Sequence, residues 1–192
     1  MKKILIIITI FFSTISTISA EEIKRIFVGD KDAKITIIAY ESLTCSHCAN
    51  FHKDVYPELK KNYLDTGLAK IEFRHFPLDI AAFNASKVSQ CNNDGDSKIL
   101  NSLFANQQKW VKGSSIQEAN ENLKKFLVSE GYNVDFEKCI NDKEIEDFVL
   151  NDRIDAVKKF KISSTPTIII NDKKFEKSLN YKNLKKALKK LI

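Results

Sequence analysis

The stretch that most constrains this chain runs from Ile35 to Pro57, ITIIAYESLTCSHCANFHKDVYP. An apolar run with β-branched residues (Ile35, Thr36, Ile37, Ile38) ends in a short polar turn, and Cys45 and Cys48 follow with two residues between them. Ala49, His52, Tyr56, Leu59 and Tyr63 then recur at helix-like spacing. A strand that leads into C-x-x-C at the opening of a helix is a redox arrangement. The first N–H groups of a helix lack intrahelical partners, and the helix dipole adds partial positive charge there. Both would stabilise a thiolate at Cys45 and bring its pKa below the free value of about 8.5. Cys48, one turn in, is near enough to close a disulfide and is more shielded. His47 sits between the two and, when protonated, adds a positive charge beside the thiolate. Cys45 is therefore expected to be the attacked sulfur and Cys48 its resolving partner. The alternative is a pair of structural thiols or half of a zinc site. Zinc normally takes four closed ligands, and no second C-x-x-C or H-x-x-H follows.

The N-terminus sets the compartment. Lys2 and Lys3 precede an apolar stretch from Ile4 to Phe12, and a Ser/Thr/Ile segment ends in Ile18-Ser19-Ala20. A basic start, a short apolar middle and small residues before a cut make a secretory signal. Residues 1–20 are read as that signal, cleaved after Ala20, although Ile18 is larger than the ideal residue at its place. An uncleaved anchor is the alternative, but the apolar core falls short of the roughly 20 residues a spanning helix needs. Cleavage leaves about 172 residues, one domain or one domain with a sizeable insertion. It also lowers the formal net charge from +6 to +4 by removing Lys2 and Lys3. The remaining charges are interspersed, and no basic cluster carries interleaved aromatics, so no nucleic-acid partner is expected. In an oxidising compartment thiols pair by default. If Cys45 and Cys48 form one pair, Cys91 and Cys139 are left for another; two separate buried thiols are the alternative.

Along the chain, Ile23 to Val28 reads as a short edge strand and Ile35 to Glu41 as the central strand. Ile37, Ala39 and Glu41 share one face of it, and Ile38 and Tyr40 the other. Pro57 should kink or break the following helix near Tyr56. Ala69 to Phe76 alternates as a strand. Helices are expected over Ile80–Cys91, Ile99–Val111, Ile116–Ser129 and Lys143–Phe160, with a helical turn at Asp135–Ile140 that holds Cys139. Thr167 to Ile170 returns to strand, Asn171-Asp172 turns a hairpin into Lys173–Phe175, and Tyr181 to Ile192 closes the chain as a helix with Leu184, Leu188 and Leu191 inward. Its lysines (Lys185, Lys186, Lys189, Lys190) face solvent.

This order, with LTCSHCANFH (Leu43 to His52), FRHFPLD (Phe73 to Asp79) and STPTIIIND (Ser164 to Asp172), resembles the DsbA family of exported thiol–disulfide oxidoreductases. The likeness covers nearly all of the chain after residue 20. It implies an α/β chain with a thioredoxin fold and an inserted all-helical domain: thioredoxin part at 21–79, helical insertion at 80–160, thioredoxin part again at 161–192. By match Cys45 is the nucleophile and Cys48 the buried cysteine. Thr165-Pro166 matches the family's cis-proline loop, where the backbone before the proline pairs with a substrate chain. Some relatives carry a second disulfide in the helical domain, which here would be Cys91–Cys139. Closing a loop of about 49 residues stabilises by roughly 4 kcal/mol in the chain-entropy model.

The chain departs from the family pattern at two places. The residues between the cysteines are Ser46-His47 where relatives often have Pro-His; His47 keeps the feature tied to oxidising power. Relatives also tend to carry a buried acid six residues before the first cysteine, where this chain has Ala39. Glu41, on the same strand face, is either the substitute proton acceptor for Cys48 or an ordinary strand-end carboxylate. His52 and His75 read as packed or surface histidines, with a metal site of Cys45, Cys48 and His52 as a weaker alternative.

The resemblance implies a disulfide donor acting on unfolded exported proteins, bound by an apolar groove beside the redox pair. It implies a DsbB-like, quinone-linked membrane protein as reoxidant and a periplasmic location. No cofactor and no metal is called for. A reductase or isomerase is the first rival; related dimeric isomerases carry an N-terminal dimerisation domain, for which residues 21–34 leave no room, so a monomer is expected. The second rival is a non-enzymatic metal-binding module on the same scaffold.

Overall fold

The computed structural model describes residues 22–192; the expected signal segment lies outside the described residues. In chain order the elements are β1 (Ile26–Gly29), β2 (Ile35–Glu41), α1 (Ser46–Asp54), α2 (Tyr56–Leu59) and β3 (Ala69–His75). A run of helices follows: α3 (Ile80–Gln90), α4 (Lys98–Ala105), α5 (Gln107–Trp110), α6 (Ile116–Ser129), α7 (Phe136–Asn141) and α8 (Lys143–Phe160). The chain ends with β4 (Thr167–Ile170), β5 (Lys173–Lys174) and α9 (Tyr181–Leu188). A π-helical turn over Lys60–Leu64 links α2 to β3.

The strands form one sheet in the order β1-β3-β2-β4-β5. Strand β2 lies at its centre, parallel to β3 with Ile37 opposite Ile71, and antiparallel to β4 with Ile38 opposite Ile169. A parallel pair needs a crossover, and α1 with α2 supplies it. Both faces of β2 are covered, so it reads as a nearly unbroken apolar run. Ile35, Ile37 and Ala39 join a core with Phe51, Val55 and Leu59 on one side of the sheet. Ile38 and Tyr40 join Phe76, Ala156 and Ile162 on the other. Glu41 follows the odd parity and is buried at the strand end.

The helical run is not set apart from the sheet. Leu103, Phe104, Trp110, Leu123 and Phe126 belong to the same core as Ile37 and Phe51. Helix α8 reaches the opposite face through Ala156. Asp152 on α8 is 1% exposed, pairs with the guanidinium of Arg25 and accepts the His75 N–H at 3.1 Å, which ties α8 to the ends of the sheet. A disulfide joins Cys91, at the end of α3, to Cys139 on α7, 48 residues apart in sequence.

Three local outcomes have clear causes. Pro57 falls in the first turn of α2, where its missing N–H costs nothing, and the expected break lies at Val55. The single helix expected over Ile99–Val111 is two, parted at Asn106, whose backbone leaves the helical region at φ −118° and ψ 23°. The Asn106 amide donates to the Ser102 carbonyl at 3.0 Å, a local bond that competes with continuation of the helix. The closing helix stops at Leu188, not Ile192, because Lys190 and Leu191 reach back three residues and tighten the last turn. Leu191 is consequently 46% exposed and does not join Leu184 and Leu188 in the core.

Candidate active site

Strand β2 delivers the chain to a three-residue turn, Ser42 to Thr44, and Cys45 then takes the N-cap position of α1 with extended backbone, φ −79° and ψ 118°. Ser, Thr, Asp or Asn usually holds that position and caps with an oxygen; here a sulfur stands at the open end of the helix. The Cys45 carbonyl accepts the Cys48 and Ala49 N–H groups at 3.1 and 3.2 Å, which starts the helix.

The turn is held from three sides. Thr44 Oγ1 donates to Asp79 Oδ2 at 2.6 Å, while Asp79 Oδ1 caps α3 through the Ala82 N–H at 2.7 Å. Ser42 Oγ accepts the Leu78 N–H at 3.2 Å, and the Glu41 carbonyl accepts the Phe76 N–H at 2.7 Å. From α5, Gln107 Nε2 donates to the carbonyls of Leu43 at 2.8 Å and Cys45 at 3.1 Å.

The two sulfurs sit in opposite environments. Cys45 is half-buried and Cys48 fully buried, both as free thiols. The Cys45 thiol is brought down to about 5, first by hydrogen bonding from the Cys48 thiol, then by the Thr165 hydroxyl and the Cys48 and His47 N–H groups, against the opposing effect of partial burial. Thr165 Oγ1 is buried. In its thiol form Cys45 donates to the Thr165 carbonyl at 3.4 Å. That carbonyl opens the Thr165–Pro166 peptide bond, which is cis. The Cys48 thiol is pushed far up, by burial first, then by its bond to Cys45 and the charge of Glu41. The Glu41 carboxyl is also raised, by burial first and in part by Cys45, with His52 opposing.

Two hollows flank α1. A groove of about 500 Å³ on one side is lined by His47, Phe51, Thr165, Pro166 and Tyr181. Asn50, Asp54 and Asn180 line it too, so polar side chains stand among the apolar ones. A cleft of about 560 Å³ on the other side lies between α1 and α4–α5, with His52, Phe104 and Gln107 in its wall.

The structure thus brings Cys45, Cys48, Glu41, Thr165 and Pro166 together and puts His47 on the groove beside them. Cys91 and Cys139 are bonded elsewhere. His75 is buried at the end of β3, and its pKa is lowered, by burial first. Sequence reasoning missed His52 as a partner of Glu41, although its spacing four residues after Cys48 put both on one helix face. It also missed Gln107, for which no local signal exists. Among the described residues, no group of three or more His, Cys, Asp or Glu side chains is placed to hold a metal ion.

A family model described as thioredoxin matches residues 21–190. The crystal structure of alpha-DsbA1 from Wolbachia pipientis superposes with a TM-score of 0.77 at 31% identity, covering 87% of this chain and 90% of that one. The chain belongs to the DsbA family of thiol–disulfide oxidoreductases. Disulfide bond formation protein D of Bacillus subtilis is 26% identical over 175 residues, 85% of this chain and 75% of that protein. A protein-disulfide oxidoreductase relative from Rickettsia bellii is 29% identical over 148 residues, 75% of this chain. The match spans only 56% of that rickettsial protein's own length. The mixed α/β fold with its thioredoxin-like sheet agrees with this membership.

Proposed function

We propose that this chain is an exported disulfide donor, with Cys45–Cys48 as its redox pair. The observation that carries this reading is the asymmetry of the two sulfurs: Cys45 is brought down to about 5 at a helix N-cap, while Cys48 is buried and its thiol pushed up. A substrate thiolate attacks Cys45 Sγ of the oxidised pair and expels the Cys48 sulfur, which takes up a proton. A second substrate thiolate then attacks the substrate sulfur of the mixed disulfide, and Cys45 leaves as a thiolate. A stabilised leaving thiolate makes the disulfide a strong oxidant.

Glu41 is the acid that trades a proton with Cys48. Thr165 and Pro166 present backbone to the substrate chain, and His47 with the groove beside it meets the substrate side chains. Cys91–Cys139 serves as a structural bridge. Substrates are unfolded exported proteins, and the reoxidant is a DsbB-like, quinone-linked membrane protein. The chain acts as a monomer in the periplasm, after removal of residues 1–20. Among the described residues no helix is long and apolar enough to cross a membrane.

The test is the reduction potential of the Cys45–Cys48 pair against glutathione. A value near about −120 mV supports the donor; one near about −270 mV makes the protein a reductase and removes the donor reading. Cys45→Ser should abolish turnover and Cys48→Ser should accumulate mixed disulfides with substrate.

A further inference from the structure

Glu41 ends β2 and His52 lies on α1, and their side chains are 3% and 5% exposed. Glu41 Oε2 and His52 Nε2 are 2.9 Å apart. Each residue keeps a second buried polar atom with no hydrogen-bond partner, Glu41 Oε1 and His52 Nδ1. Glu41 acts electrostatically on the Cys48 thiol at one end of the pair. At the other end His52 lines the cleft between α1 and α4–α5. Its ring is held in place by Phe104, stacked at 4.1 Å between centroids, and by Phe51, Tyr56 and Phe73 around it.

Packing alone does not account for such a pair. Taking a carboxylate and an imidazole out of water is costly, and apolar side chains of similar volume often do as well or better. Buried atoms without partners add to that cost. The arrangement has the form of a conduit: a carboxylate that acts on Cys48 and keeps one oxygen without a partner, a short hydrogen bond, and a ring nitrogen without a partner on a residue of the cleft wall.

We propose that His52 carries protons between Glu41 and the cleft, so that the Cys48 proton leaves and returns through the Glu41–His52 pair. The proposal rests on Cys45–Cys48 being the redox pair. When a mixed disulfide at Cys45 closes, Cys48 gives its proton to the Glu41 carboxylate, and His52 passes one on to water in the cleft. The Cys48 thiolate attacks Cys45 Sγ, the Cys45–partner S–S bond breaks, and the partner leaves as a thiolate. The pair takes up one proton as it gives up another, so its net charge does not change. The reverse sequence protonates Cys48 when a substrate opens the disulfide. His52 touches no reacting sulfur and is a positioning residue that acts through Glu41. Of the rings around it only Tyr56 titrates; Cys45 and Cys48 are the other groups coupled to Glu41, and Lys53 lines the cleft.

The test uses the protein with glutathione linked to Cys45. Release of glutathione as Cys48 closes the disulfide is followed from pH 5 to pH 9 in wild type, His52→Gln and Glu41→Gln. His52→Gln should close about 100-fold more slowly near neutral pH, the low end of what a positioned proton carrier supplies, and approach wild type at high pH, where hydroxide takes the Cys48 proton. The double variant should be no slower than Glu41→Gln alone, because the two act in one path. A His52→Gln profile that overlays wild type, or multiplicative effects in the double variant, would overturn the relay. Should His52→Gln lose its fold by circular dichroism, Glu41→Gln decides: wild-type closure there removes the path. A wild-type protein that never releases glutathione would instead remove the redox reading, and the relay with it.

Discussion

Gln107 Nε2 donates to the main-chain carbonyls of Leu43 and Cys45, at 2.8 and 3.1 Å, so a side chain of the helical run holds the backbone that carries the reactive sulfur. The contact exists because α4 and α5 part at Asn106 and place Gln107 at the start of the second helix. In Gln107→Ala both side-chain bonds are lost: the Leu43 carbonyl loses this donor, while the Cys45 carbonyl keeps the Cys48 and Ala49 N–H groups. The expected loss is about 2 kcal/mol of unfolding free energy, since each net hydrogen bond contributes about 0.5–1.5 kcal/mol. Gln107→Glu should cost more, because it sets a carboxylate oxygen against carbonyl oxygens. Urea denaturation of the two variants, with m-values unchanged from wild type, gives the measurement; equal midpoints for wild type and Gln107→Ala would show that the contact holds nothing.

The pH dependence of the exchange follows from the Cys45 thiolate. Its folded pKa of about 5 lies below the unfolded value of about 8.5. Between these two values the unfolded reduced chain binds one more proton than the folded one, so the stability of the reduced form rises with pH across that window. The contribution is fully present above about pH 8.5 and is lost as pH falls through about 5. The oxidised form has no such group. Reduction of the protein by glutathione therefore releases one proton, and its equilibrium constant should rise about tenfold per pH unit from pH 5 towards pH 8.5. Thiolate absorbance at 240 nm should show a midpoint near pH 5 that is absent in Cys45→Ser. An equilibrium constant flat from pH 6 to pH 8 would contradict the assigned thiolate.

The parts of this site that sequence could show are those set by local order. Ile35–Glu41 is read as a strand because its residues are apolar and β-branched, and Cys45 falls at the helix N-cap because the pattern changes period there. Strand parity correctly puts Glu41 on the face of Ile37 and Ala39, the face that α1 covers. What sequence could not show depends on contacts between distant elements. His52 has a role only because β2 ends opposite it, and the ring that stacks on it, Phe104, comes 52 positions later in the chain. The break at Asn106 interrupts a stretch whose apolar spacing is helical throughout. Leu191 keeps helical spacing too, but the last turn has no core left to enter.

Asp152 offers a contrast between holding the fold and tuning the site. It is almost fully buried on α8, pairs with Arg25 and accepts the His75 N–H at 3.1 Å. Its removal in Asp152→Ala leaves the Arg25 guanidinium without its anion and a buried main-chain N–H without an acceptor. Breaking a buried pair typically costs 3–5 kcal/mol, but the Arg25 side chain is 34% exposed and water can take part of the load. About 2–3 kcal/mol is therefore expected, read as a lower urea midpoint. The Cys45 thiolate is set by Cys48, Thr165 and the first N–H groups of α1, and Asp152 is not among its causes. The 240 nm midpoint of Asp152→Ala should thus stay near pH 5 while stability falls. A midpoint that moved with stability would mean that α8 shapes the redox end of the sheet as well as covering its second face.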